Sequence, residues 1–116
     1  MSVTAAKGFL ASGVSAGLKS SGKKDVALIV NQGPKFDAAA VFTSNKVKAA
    51  PVIWTQEVIK NKQLKAVVLN SGGANACTGP DGFADTHKSA EYVAELLSIG
   101  AIEVGVCSTG LIGNRL

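Results

Sequence analysis

"KAVVLNSGGANACTGPDGFADTHKSAEYVAELLSIGAIEVGVCST" occupies residues 65–109. It opens on a short apolar run, Lys65 to Asn70, rich in valine and of the kind that fits a strand covered on both faces. A loop of small and polar residues follows, Ser71 to Gly79. From Pro80 the period changes: Phe83, His87, Ala90, Val93, Ala94 and Leu97 fall on one helical stripe, and Gly100 is a reasonable stop. Ile102 to Thr109 then reads as a further strand, and Gly110 to Gly113 as a turn. A strand–helix–strand unit of this length predicts parallel pairing of its strands through a right-handed crossover.

Upstream, "DVALIVN" (Asp25 to Asn31) is another continuous apolar run, and "AAAVFTSN" (Ala38 to Asn45) reads as a strand as well. Gly8 to Leu18 reads as two short extended pieces with a turn near Ser12 and Gly13. Pro51 opens a helix through Lys62, since proline suits a first helical position; Trp54 and Val58, four apart, share a face. Strands and helices mix without a repeat or a linker. The expectation is one α/β layered domain over residues 1–116.

Hydrophobic residues make up 47% of the 116 and charged residues 17%, which excludes a disordered, solvating chain. A chain this long buries roughly two-thirds of its unfolded surface, and with few aromatics its core rests on Val, Ala, Leu and Ile. The net charge of +4 comes from dispersed lysines, Arg115 being the single arginine. Nucleic-acid binding would concentrate that charge and add stacking aromatics, so no nucleic acid is expected. No apolar run approaches the roughly 18 residues of a membrane span. Gly and Ser dilute the stretch after Lys7 too far for a signal peptide. The expected location is cytoplasmic. Cys77 and Cys107 lie in no CxxC pair and His87 is the single histidine, so no metal site is expected. Two free thiols suit a reducing compartment, although one disulfide stays open.

Three stretches deserve weighing as sites. The loop at 70–79 stands where phosphate loops stand, between a strand and a helix. It has no lysine for a Walker loop, however, and Gly72-Gly73 does not supply G-x-G-x-x-G. Cys77 precedes a helix, which can activate a thiol. Its one partner of the right chemistry, His87, is ten residues on, roughly 15 Å along a helix, so a packed thiol and a packing histidine are the preferred readings. "VCSTGLIG" (Val106 to Gly113) ends a strand in Ser108-Thr109-Gly110, where hydroxyls and an unhindered glycine N–H could stabilise an oxyanion. By spacing alone that signal is weak, because Ser-Thr-Gly also occurs in ordinary turns.

"NSGGANACTG" at 70–79 together with "CSTGLIG" at 107–113 closely resembles the ornithine acetyltransferase family, the bifunctional glutamate N-acetyltransferases of arginine biosynthesis. "VTAAKGFLASGVSAGLK" (3–19) and "AAVFTSNKVKAAPVIWTQ" (39–56) resemble that family's N-terminal part, so the likeness runs in order along essentially the whole chain.

The resemblance implies a layered N-terminal-nucleophile sandwich, two sheets between helical layers, only partly present in this chain. It implies a precursor that cleaves itself into α and β chains assembled as α2β2. The first threonine of the β chain takes the acetyl group from N2-acetyl-L-ornithine as an ester and passes it to L-glutamate; some members also accept acetyl-CoA, and no other cofactor is implied. Thr109 and Gly110 would form the oxyanion hole. The chain holds no Ala-Thr dipeptide of the kind at which the family cleaves, so the nucleophile and most substrate-binding residues are expected beyond Leu116, and residues 1–116 alone are expected to be inactive. The alternatives are a related N-terminal-nucleophile amidase or aminopeptidase, and a non-catalytic α/β binding domain.

Overall fold

The computed structural model describes residues 2–115. Four strands, β1 (Phe9–Val14), β2 (Val26–Asn31), β3 (Ala66–Gly73) and β4 (Val104–Leu111), form one sheet in the order β1-β2-β3-β4. The first two pairings are antiparallel and β3–β4 is parallel. Helices α1 (Ala50–Val58) and α2 (Gly79–Leu97) supply the helical layer. This is the α/β class expected, and the strand–helix–strand unit at its centre is β3–α2–β4.

The core follows from alternation along the strands. Ala66 and Val68 of β3 and Val104 and Val106 of β4 are buried with Trp54 and Val58 of α1 and Ala90, Val93 and Ala94 of α2. Val26, Leu28 and Val30 pack against this cluster from β2. The intervening residues, Ala27, Ile29, Val67, Leu69 and Cys107, line open grooves on the opposite face. The sheet therefore carries helices on one face and leaves the other uncovered.

β4 is an edge strand of the sheet, and α1 covers that edge. Trp54 Nε1 donates to the Val104 carbonyl at 3.0 Å. Thr55 Oγ1 donates to the Val106 carbonyl at 2.9 Å and accepts from the Val106 N–H at 3.0 Å. Backbone groups that would otherwise be orphaned beside an apolar core are satisfied by side chains.

Four local expectations are corrected. Ala38 to Asn45 forms no strand: Val41 is 99% exposed, and the one pairing nearby is an isolated bridge from Asp37 to Gln63. A strand needs a ladder partner, and beyond that bridge this stretch pairs with none of the four strands. Gly8 to Leu18 holds one strand, Phe9–Val14, with no turn at Ser12-Gly13; reversal falls instead to the segment around Gly17 and Gly22, both with positive φ. Helix α2 stops at Ser98, which adopts the left-handed conformation (φ 55°) and donates its N–H to the Ala94 and Glu95 carbonyls. Gly100 instead opens a 3-10 turn, Ala101–Glu103, with its N–H held by Glu103 Oε2 at 2.9 Å. Lastly, β3 and β4 run on into stretches read as loop and turn, because Asn70–Gly73 pairs residue for residue with Ser108–Leu111. Among the described residues no helix is long and apolar enough to cross a membrane.

The edge-capping role of Thr55 has a direct test. Thr55→Val keeps the shape and removes both hydrogen bonds, leaving a buried N–H and C=O unpaired. The expected loss is about 1–3 kcal/mol, read as a lower midpoint in chemical denaturation at unchanged slope; an unchanged midpoint would show that water replaces the hydroxyl there.

Candidate functional site

The site lies where β3 and β4 end together. Ser71 stands opposite Thr109, Gly72 opposite Gly110 and Gly73 opposite Leu111. Gly72 (φ 140°) and Gly110 (φ 134°) both occupy backbone conformations that side chains disfavour. A Cβ on Gly110 would sit 2.5 Å from the Gly72 carbonyl carbon and 2.6 Å from its oxygen. A Cβ on Gly72 would meet the Leu18 carbonyl oxygen at 3.0 Å. Three backbone segments thus converge at van der Waals contact around Gly72, and glycine at both positions is what allows it.

Thr109 and Gly110 are exposed on this ridge. On one side is a depression of about 490 Å³ bordered by Lys24, Leu69, Ser71, Cys107 and Thr109. On the other is one of about 560 Å³ bordered by Thr109, Gly110, Asn45, Lys46, Ala76 and Ile112. The two residues expected as an oxyanion hole therefore face open space that a substrate could enter, and Lys46 is the one charged side chain among the described residues bordering the second depression.

Two anchored loops flank the ridge. The β1–β2 connection folds over buried Asp25, whose carboxylate accepts from the N–H groups of Ala16 (2.6 Å), Leu18 (2.7 Å) and Lys19 (3.0 Å). The Asp25 carbonyl accepts from Ser71 N–H at 2.8 Å, which ties this loop to β3. The backbone N–H of Ala16, then those of Lys19 and Leu18, hold the Asp25 carboxyl below its usual range against the opposing effect of burial.

The second loop is Ala74 to Thr78. Asn75, 2% exposed and at φ 49°, donates through Nδ2 to the Gly82 carbonyl (2.8 Å) and to Thr86 Oγ1 (2.9 Å). Its Oδ1 accepts from Thr78 Oγ1 at 2.7 Å. The loop backbone also binds the segment beyond β4. Ala74 N–H donates to Leu111 O (2.9 Å), Asn75 N–H to Asn114 O (3.1 Å), and Gly113 N–H to Ala76 O (2.8 Å). Arg115 closes the arrangement on α2, with Nε 2.6 Å from Asp85 Oδ2 and Nη1 3.3 Å from Asp81 Oδ2.

The remaining candidates separate. Cys77 and Cys107 are both free. Desolvation pushes the Cys107 thiol up, away from the thiolate. His87, about half exposed, lies against Trp54 of α1 with ring centroids 4.9 Å apart, and its Nε2 lies 3.4 Å from Glu91 Oε1, one turn on along α2. Among the described residues no three His, Cys, Asp or Glu side chains gather as metal ligands. Sequence reasoning passed over Asn75, Asn45 and Lys46. For Asn75 a signal was available: Gly82 and Thr86, one helical turn apart, offer an acceptor and a hydroxyl to a polar side chain packed against that face.

Two tests follow from this geometry. Gly110→Ala should cost about 1–3 kcal/mol through backbone strain and should strip hydrogen-exchange protection from the amides of Ser71 to Gly73; retained protection would mean the ridge tolerates a Cβ. The Asp25 contacts contribute stability fully above the unfolded carboxyl value, about 3.9, and lose it as pH falls through the lower folded value. Asp85 and Glu103 shift in the same direction, led by hydrogen bonds from Arg115 and Lys65. Stability should therefore decline on acidification below about pH 4, and Asp25→Asn should flatten part of that decline; an unaltered acid profile would remove Asp25 from it.

Comparison with known proteins gives consistent matches. The sequence profile of the ArgJ family matches residues 10–116. The arginine biosynthesis bifunctional protein ArgJ of Streptomyces coelicolor is 66% identical over 116 residues, covering all of this chain and 30% of that relative. The protein of the same name from Mycobacterium tuberculosis H37Rv is 65% identical over 119 residues, covering 98% of this chain and again 30% of the relative. The crystal structure of ornithine acetyltransferase complexed with ornithine from M. tuberculosis superimposes with a TM-score of 0.97 at 65% identity, covering 98% of this chain and 62% of that one. That of ArgJ from Bacillus halodurans gives 0.95 at 46% identity, covering all of this chain and 60% of that one. The chain spans about 30% of the length of the curated relatives it matches.

Proposed function

The chain belongs to the ArgJ family, and we propose that it is part of an acetyltransferase that moves the acetyl group of N2-acetyl-L-ornithine to L-glutamate in arginine biosynthesis. The observation that carries this reading is the exposed Thr109–Gly110 pair on a ridge bordering open depressions.

The chemistry is acyl transfer through a covalent ester. A threonine hydroxyl at the start of the family's β chain, with its own α-amine as base, attacks the acetyl carbonyl. The carbonyl oxygen becomes an oxyanion in the tetrahedral intermediate, where the Thr109 hydroxyl and the Gly110 N–H donate to it. The intermediate collapses, the C–N bond breaks, and ornithine leaves with the proton on its nitrogen. Glutamate's amine then attacks the acetyl-threonine ester; the same two donors serve a second tetrahedral intermediate, and the threonine hydroxyl is regenerated. Acetyl-CoA is an alternative donor for the first half of this cycle. In this reading the β chain also covers the open sheet face, where Ile29, Val67 and Leu69 line grooves. An α2β2 assembly in the cytoplasm completes it.

The assay is incubation of the complete enzyme with N-acetylornithine and glutamate. Formation of N-acetylglutamate is expected; free acetate in its place would mark an N-terminal-nucleophile amidase. In the same enzyme, Thr109→Ala should lower kcat by about 100- to 1000-fold, and turnover near the wild-type rate would remove Thr109 from the mechanism.

A further inference from the structure

The loop Ala74 to Thr78 has no part in the chemistry just described, yet it is among the most completely bonded segments of the molecule. We infer that Asn75 is a positioning residue for the oxyanion hole. It holds Thr109 and Gly110 in place by fastening to α2 the loop on which the chain beyond Gly110 is hung. The inference rests on the reading of Thr109 and Gly110 as that hole.

The geometry runs in three steps. Beyond Gly110 the chain is attached to the loop by three backbone hydrogen bonds, Ala74 to Leu111, Asn75 to Asn114 and Gly113 to Ala76, all at 2.8–3.1 Å. The loop is fixed in turn by one side chain. Asn75 spends both amide N–H bonds on Gly82 and Thr86, and its carbonyl oxygen on Thr78. Its main-chain oxygen accepts from Ala50 N–H at 3.1 Å, so the start of α1 is joined to the same point. Finally, Gly110 cannot shift toward β3, because Gly72 is already in contact with it. Movement away from β3 is opposed by the loop, whose hydrogen bonds hold the chain beyond Gly110.

The chemistry of the side chain is specific. Two donors and one acceptor on one planar group match two acceptors and one hydroxyl donor in a site closed to water. Asp has the same outline and no N–H, so it would set a carboxylate against the Gly82 carbonyl. Gly82 is part of this fit, since a Cβ there would lie 2.5 Å from Asn75 Oδ1. A misplacement of about 1 Å at a reacting centre is enough for roughly 100-fold in rate, so a small outward drift of Gly110 is enough to weaken the hole.

The test uses the complete enzyme and two variants, Asn75→Asp and the milder Thr86→Val, which removes one acceptor and leaves Asn75 in place. Acetyl-enzyme formed per active site is counted first, and single-turnover rates are then measured for acetylation by N-acetylornithine and for transfer to glutamate. The expected result is a fall of about 10- to 100-fold in both rate constants for Asn75→Asp, a smaller fall for Thr86→Val, KM within about twofold, and retained acetyl-enzyme stoichiometry. In the Thr109→Ala background the Asn75 substitution should add little, since both act through one hole. Reduced stoichiometry with normal rates at the surviving sites would overturn the inference and leave Asn75 a folding residue. Effects that multiply with Thr109→Ala would overturn it too. Should Asn75→Asp fail to fold, normal Thr86→Val rates would have the same force. If Thr109→Ala itself left the rates unchanged, the oxyanion-hole reading would fall and this inference with it.

Discussion

Strand β4 is held on both edges at once, and most of the molecule is arranged around that fact. On one side it pairs in parallel with β3 along eight residues, from Val104 to Leu111. On the other, the side chains of Trp54 and Thr55 take the place of a neighbouring strand and satisfy Val104 and Val106. A strand in that position cannot slide, because a slip would break the ladder and expose Val104 and Val106 together. The backbone at its far end, Thr109 and Gly110, is therefore delivered to a fixed place without needing any bulk of its own.

The division of labour along β4 is visible in its residues. Val104 and Val106 are core, Gly105 leaves room for Leu64 and Thr55, and Gly110 leaves room for Gly72. Burial holds the first half and backbone contact holds the second. The two flanking loops use different devices for the same end: three N–H groups converging on one buried carboxylate at Asp25, and one amide bonded on every side at Asn75. Asp25 ties its loop by charge-assisted bonds, which acid can release. The Asn75 contacts involve no ionisable group.

Much of the fold was legible because its central elements are locally consistent. The Lys65–Thr109 unit shows a clean change of period from strand to helix and back, and Pro51 marks the entry to α1. Legibility failed where a residue's state depends on a distant partner. Ala38 to Asn45 has the composition of a strand, but it pairs with no strand of the sheet. Gly72 and Gly73 have the composition of a turn, yet they are strand because Gly110 and Leu111 lie opposite. Ser98 takes the helix-terminating position expected of Gly100, since the helix hydrogen bonds run out two residues earlier. At the site, Thr109 and Gly110 stood out through family likeness far more than through spacing, and Asn75 was hidden inside a run of small residues that ordinarily means a turn.

Trp54 is the single tryptophan of the chain. Its indole N–H is committed to the backbone of β4, and its ring packs against His87 and Phe83 of α2. One chromophore thus touches the covered strand edge and the α1–α2 seam together. Nature has installed an optical gauge at the joint on which the sheet depends: its emission reports how firmly that edge is closed, with no label added and no background from a second indole within these residues.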